Sequence, residues 1–258
     1  MPRAVRLIGL DCATDPAKTG LALGRWEGGR VRLVEGRPGS SPDEMRATLL
    51  RWMREGPEPV LLAVDAPLGW PAPLGEALAT HHAGQPLPGR ANDLFRRETD
   101  RFLQRTLRKT PLDVGADRIA RTAHAALALL ADLGQACGTP LPMAWDPAAL
   151  APASALEVYP AATLAVHGLP DRGYKAPGQR SVREAMLAGL RARLEIPGSG
   201  TPLLAQADVL DAAVCLLAAA DFLEGACFTP EDPDLAHREG WIWVRRPSPS
   251  GPPPPRPR

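Results

Sequence analysis

At 258 residues, with 45% hydrophobic and 23% charged side chains, the chain is long enough to bury a substantial core as one large domain or two small ones. No run approaches ~18 uninterrupted apolar residues, which excludes a helical membrane span. A net charge of +1 excludes bulk positive charge as an attractor of nucleic acid.

Positive charge is almost all arginine, with only Lys18, Lys109 and Lys175 as lysines, a bias that fits a GC-rich genome as well as phosphate recognition. Cys12, Cys137, Cys215 and Cys227 are scattered without CxxC spacing, so neither a zinc site nor a disulfide framework is expected. The start leads directly into a strand without a signal-peptide pattern, and the expected compartment is the cytoplasm.

In chain order, Val5–Leu10 reads as the first strand, Gly20–Arg25 as the second and Arg30–Glu35 as the third, with Glu27-Gly28-Gly29 as a turn between the last two. Ser41-Pro42-Asp43-Glu44 is a capping box with proline at the first helical position, opening a helix to about Arg54. Val60–Val64 is short and wholly apolar, as in a strand buried on both faces. Residues 66–115 are irregular and rich in proline and glycine, with a helix near Asp93–Leu107. Arg118–Cys137 is an amphipathic helix stopped by Gly138, and Leu156–Val158 is a short fifth strand. Ser181-Val182-Arg183-Glu184 is a second capping box, opening a helix to about Leu194. Thr201-Pro202 opens a long, nearly all-apolar helix ending near Gly225. Trp241–Arg245 is a candidate edge strand, and the proline-dominated residues 247–258 are expected to be a disordered tail. The resulting layout is mixed α/β: an antiparallel three-strand meander feeding a crossover into parallel strands.

Four carboxylates stand out against this pattern. Asp11 and Asp65 each end an apolar strand, where side chains of neighbouring strands converge. Asp208 and Asp211 project about 60° apart on one side of the last long helix, flanked by Ala212, Cys215, Ala218 and Ala219. Buried carboxylates are costly unless their charge is compensated, and a divalent cation is a common compensator. Three or four of them can hold two Mg²⁺ or Mn²⁺ ions, a device that cuts phosphodiesters without a nucleophilic side chain. Glu157, alone in its polarity on the fifth strand, either completes such a metal shell or pairs with an arginine. Lys18 lies in the first hairpin loop within reach of a substrate phosphate, and Asp15 beside it reads equally as a solvated turn residue. Arg97, Arg101, Arg105 and Arg108 recur at helical spacing as a basic stripe, with Arg90, Arg96 and Lys109 nearby. The stripe is either a phosphate-backbone contact, with Arg97 and Arg101 foremost, or a solvated face balanced by Glu98 and Asp100. His81-His82 lacks metal-ligand partners.

Several segments carry a resemblance: Gly9-Leu10-Asp11 with Thr19-Gly20-Leu21-Ala22, Val64-Asp65-Ala66-Pro67-Leu68-Gly69-Trp70-Pro71, Glu157-Val158-Tyr159-Pro160, and Asp208-Val209-Leu210-Asp211-Ala212. Together they resemble the family catalogued as domain of unknown function 429, whose members are described as predicted ribonuclease-H-like nucleases. The resemblance covers most of residues 5–225. It implies a ribonuclease-H-like mixed five-stranded sheet, antiparallel 1-2-3 and parallel 1-4-5, flanked by helices. On that reading residues 1–246 form one domain with an irregular, helical insertion at about 66–115. The acids are also similar to those of Holliday-junction resolvases of this superfold, which place one on the first strand, one on the fourth and two on the last helix. The match implies a catalytic and metal-binding role for Asp11, Asp65, Asp208 and Asp211, with nucleic acid as partner. It departs at Asp65, where the resolvases have a glutamate longer by one methylene.

A second resemblance is weighed against it. Asp11-Cys12-Ala13-Thr14 with Lys18-Thr19-Gly20 is similar to the first phosphate loop of sugar-kinase/actin-type ATP-binding proteins. Those need two copies of the core fold, with a second Asp-Gly hairpin and a glycine-rich adenosine segment, and neither follows residue 140. A non-catalytic nucleic-acid-binding scaffold of the same fold is the third reading.

Overall fold

A computed structural model describes residues 4–115, 117–176 and 178–247. Six strands, β1 (Ala4–Asp11), β2 (Gly20–Glu27), β3 (Arg30–Pro38), β4 (Val60–Asp65), β5 (Ala153–Glu157) and β6 (Leu194–Glu195), form a sheet in the order β5-β4-β1-β2-β3-β6. The expected arrangement is present: β1, β2 and β3 are antiparallel neighbours, and β4 and β5 run parallel to β1. The sheet exceeds the expectation by one strand, because Leu194 and Glu195 pair in parallel with Val31 and Arg32 of β3. So short a strand has no periodicity to betray it.

The helices are α1 (Pro42–Met53), α2 (Ala72–Leu78), α3 (Ala91–Phe95), α4 (Glu98–Leu107), α5 (Asp117–Cys137), α6 (Pro160–Val166), α7 (Arg180–Leu190), α8 (Thr201–Ala205), α9 (Ala207–Leu223) and α10 (Pro233–Glu239). All eight residues of β1 are buried, as are the first five of β4, so these two strands form the floor of both core layers. On one face Val5, Leu7, Leu61 and Leu156 meet α9, which packs across β1, β2, β3 and β4. Every residue of α9 from Val209 to Leu223 is buried, which explains its almost continuous apolar sequence. On the other face Ile8, Leu10 and Leu62 pack against Leu49 and Trp52 of α1 and Leu130 and Leu133 of α5.

Ser41 caps α1 as its sequence predicts, accepting from the Glu44 N–H at 3.3 Å. Several boundaries differ from expectation for identifiable reasons. The single helix over 93–107 is two, α3 and α4, because Arg96 and Arg97 adopt extended backbone and turn the Arg97 side chain inward. The long last helix is broken at Gln206 (φ −134°, ψ 124°), which separates α8 from α9. Ser181 does not cap α7, which starts one residue earlier, at Arg180. The fifth strand begins at Ala153 and ends at Glu157. Trp241–Arg245 forms no strand. Ile242 bridges Glu157 and Arg245 bridges Cys227, each in isolation. Apart from Pro247, the proline-rich tail lies outside the described residues. No helix among the described residues is long and apolar enough to cross a membrane.

Candidate functional site

Strand register sets the site. Asp11 is paired directly with Asp65 across the parallel β1–β4 ladder and with Gly20 across the antiparallel β1–β2 ladder. Residues in register project to the same face of a sheet, so the two carboxylates stand side by side at its carboxyl edge. The face they share is the one covered by α9.

Glycine lets α9 come close. A Cβ on Gly9 would collide with the Ala212 carbonyl and lie 3.2 Å from the Cys215 Cβ, and one on Gly20 would collide with the Asp208 carbonyl. The backbones therefore touch where β1 and β2 pass under the first turns of α9. This brings Asp211, fully buried, and Asp208, partly exposed, over the strand-end pair.

Two residues of the loop before α7 complete the cluster. The Tyr174 hydroxyl donates to Asp211 Oδ1 at 2.7 Å. The Lys175 ammonium lies 2.5 Å from Asp211 Oδ2 and 3.8 Å from Asp11 Oδ2. At that distance the ammonium is the charged partner of the buried Oδ2, and the hydroxyl of Tyr174 takes the other oxygen. The loop is pinned at Tyr174 and three residues before it. The Arg183 guanidinium donates to the Tyr174 carbonyl at 2.7 Å, and Lys109 pairs with Asp171.

The acids resist ionising together. Burial and the neighbouring Asp65 push Asp11 up to about 9 from an ordinary 3.8, against the opposing pull of Lys175. Burial and Asp211 push Asp65 up to about 7, again opposed by Lys175. The contact with Asp11 also opposes the rise in Asp65. Burial raises Asp211 as well, while Lys175 and Tyr174 pull it down. Burial lowers Lys175, but Asp211 and Asp11 more than offset this and hold it protonated. Burial and then Asp211 raise the Tyr174 phenol, which stays a donor.

Glu157 is set apart by register. It pairs with Val64, one residue short of Asp65, and so projects to the opposite face of the sheet from the aspartates. There it accepts from Arg97 at 2.7 and 2.8 Å and from the Leu68 N–H at 2.9 Å. Arg97 also pairs with Asp100 at 2.9 Å, and all three side chains are buried. Of the two readings open for Glu157, this is the arginine pair. Arg97 correspondingly leaves the stripe: it is 1% exposed and precedes α4 rather than lying on its outer face.

Arg101 and Arg105 of the stripe are balanced by an acid, while Arg108 is the left-handed residue that ends α4 (φ 56°). Arg101 and Arg105 both reach Glu98, at 3.0 and 2.8 Å, and Arg96 reaches Asp113 at 2.9 Å. Lys18 is exposed in a one-turn 3-10 segment and lies 3.9 Å from Asp15, which caps that segment by accepting from the Ala17 N–H. His81 and His82 are exposed.

The aspartates open into a cleft of about 290 Å³. Asp11, Asp65, Glu157 and Lys175 form its polar side, and Pro67, Pro111, Leu112, Ile119 and Tyr159 its apolar wall. Sequence reasoning missed Tyr174 and Lys175. The one available signal was Lys175 itself, one of three lysines in a chain that otherwise uses arginine. Among the described residues no three His, Cys, Asp or Glu side chains stand spaced to hold a metal ion as they are, and the cation beside Asp11 and Asp211 is the Lys175 ammonium.

A family model described as "Protein of unknown function (DUF429)" matches residues 9–235. No curated protein matches. Among solved structures, T. thermophilus RuvC in complex with Holliday junction substrate is similar at a TM-score of 0.40 and 13% sequence identity, over 86% of this chain and 96% of that one.

Proposed function

The chain belongs to the DUF429 family, a family of unknown function, and from its acid cluster we propose that it is a metal-dependent nuclease that hydrolyses phosphodiester bonds. The observation that carries this reading is the convergence of Asp11 and Asp65, adjacent in register, with Asp211 and Asp208 from the closely packed α9.

The donor set fits Mg²⁺ or Mn²⁺. All its groups are hard carboxylate oxygens, which these ions prefer to nitrogen or sulfur. The buried Oδ2 of Asp211 already holds a cation, the Lys175 ammonium, and burial together with neighbouring carboxylates raises Asp11 to about 9 and Asp65 to about 7, a cost that a bound cation would relieve. Asp11, Asp65, Asp208 and Asp211 are the residues that would hold the ions. Bound there, divalent cations would lower the pKa of an attacking water and stabilise the leaving oxygen of a phosphodiester.

The remaining residues prepare that site. Tyr174 fixes the rotamer of Asp211 by donating to Oδ1, which turns Oδ2 to the cation beside it, Lys175. The Glu157–Arg97–Asp100 cluster ties β5 to α4 and holds the Leu68 N–H, so the Asp65–Leu68 turn keeps its course beside the cleft. The apolar wall of Pro111, Leu112 and Ile119 suits a sugar or base face next to the acids. The phosphotransferase reading lacks comparable support, because the described residues contain one such sheet where that fold needs two.

The test is cleavage of a panel of single-stranded, duplex, hybrid and junction oligonucleotides in Mn²⁺. Wild type is expected to cut at least one of them and Asp65→Asn and Asp211→Asn to cut none. Metal-dependent ATP hydrolysis without nucleic-acid cleavage would overturn the reading.

A further inference from the structure

We propose that Lys175 is an internal counter-cation that occupies the acid cluster in the metal-free protein, and that a divalent ion binds by displacing its ammonium. The proposal rests on the metal-dependent reading above and deepens it by naming the residue that sets metal affinity.

Four observations converge on it. The ammonium sits between Asp11 and Asp211, carboxylates from two different elements that converge only at this point. Its ammonium is the cation held at Asp211 Oδ2, the carboxylate oxygen that Tyr174 leaves to it, so that oxygen already serves as a cation ligand. Lys175 is also free to leave: its side chain is 55% exposed, against 1% and 12% for the two aspartates it touches. Finally, the backbone beneath it is fixed. Tyr174 is buried, its hydroxyl is held by Asp211, and its carbonyl is held by Arg183. Rotation about the lysine's own stem is therefore enough to clear the site, with no loop movement.

Charge accounts for why the exchange is favourable. One ammonium pairs with Asp11 and Asp211, and among the described residues no basic side chain pairs with Asp65 or Asp208. A single positive charge leaves the cluster under-compensated, whereas a divalent ion brings twice the charge to the same oxygens. The lysine thus keeps the empty cluster assembled without matching the ion that replaces it.

Two measurements on the full-length protein test this. The first is calorimetric titration of Mn²⁺ and Mg²⁺ into wild type and Lys175→Met, with binding expected to tighten about tenfold in the variant. Removing any nearby positive charge would also tighten binding, so a second readout is needed. Amine acylation at limiting reagent, mapped by peptide mass, follows each of the three lysines separately. In wild type the acylation rate of Lys175 is expected to rise about fivefold or more at saturating Mg²⁺ as its amine leaves the carboxylates, while exposed Lys18 stays constant. Lys175 labelling that stays unchanged although calorimetry records metal binding would overturn the proposal and leave the nuclease reading standing. So would equal or weaker metal binding in Lys175→Met. No metal binding by either protein would overturn both.

Discussion

Gly20 and Asp208 meet backbone to backbone: any side chain at position 20 would run into the Asp208 carbonyl oxygen. Gly9 makes the same kind of contact with Ala212, so two glycines on adjacent strands set the height of α9 above the sheet. Because Asp208 and Asp211 ride on that helix, strand backbone and site geometry are one constraint. Gly20→Ala is expected to destabilise the fold by about 2 kcal/mol or more, since the obstacle is backbone and cannot rotate away. Urea denaturation measures this directly. If the variant remains folded, its metal-induced rise in melting temperature should shrink, because the helix acids are lifted from Asp11 and Asp65. A stability equal to wild type would contradict the close approach.

The strand-end pair should leave a signature in the pH dependence of stability. Asp11 titrates at about 9 in the folded chain against an ordinary 3.8, and Asp65 at about 7. The folded protein therefore retains protons that the unfolded chain releases. The pair's contribution to stability is complete below the ordinary carboxyl range and is lost as pH rises through about 7 and about 9. Thermal melts in EDTA across that range should show the decline. Asp11→Asn, which keeps the shape and removes the charge, should flatten it and raise the melting temperature near pH 8 by about 2–4 °C for each kcal/mol of relieved repulsion. A flat profile in wild type would refute the shared-proton pair.

How much of this was legible in the chain depends on the kind of signal each residue carries. Asp11 and Asp65 end apolar strands, and Asp211 interrupts an apolar helix, so a carboxylate breaks a pattern at each position. Tyr174 and Lys175 interrupt nothing. They lie in a loop without period, and their contacts with Asp211 span 37 and 36 residues that only the tertiary fold brings together. Arg97 misleads for a related reason. Its spacing to Arg101 and Arg105 implies a shared face only if the helix is continuous, and the break at Arg96–Arg97 removes that premise. Once Arg97 turns inward, Glu157 acquires its partner.

That inward turn carries its own prediction. Arg97 is fully buried between Glu157 and Asp100, so removing it leaves two carboxylates without compensation. Arg97→Met should cost about 3–5 kcal/mol in chemical denaturation. Glu157→Gln should cost less, because Arg97 keeps Asp100. The double variant should be more stable than the sum of the two losses predicts, since neutralising Glu157 removes one of the orphaned charges. Strict additivity would mean that the two side chains do not interact as the 2.7 Å contact requires.

Asp65 is the residue where the resemblance and the sequence part company, because resolvases of this superfold carry glutamate on the fourth strand. Asp65 lies directly beside Asp11 in register, and the glycine contacts hold the backbone of α9, which carries Asp211, against β1 and β2. Two substitutions separate charge from length. Asp65→Asn is expected to abolish the metal-induced rise in melting temperature and to lower any Mn²⁺-dependent cleavage on the order of a hundredfold or more. Asp65→Glu keeps the charge and lengthens the arm. It should retain the thermal shift while losing part of the cleavage rate, because its carboxylate overshoots the position that the close-packed helix demands. Full retention of the shift in Asp65→Asn would remove Asp65 from the metal-holding set.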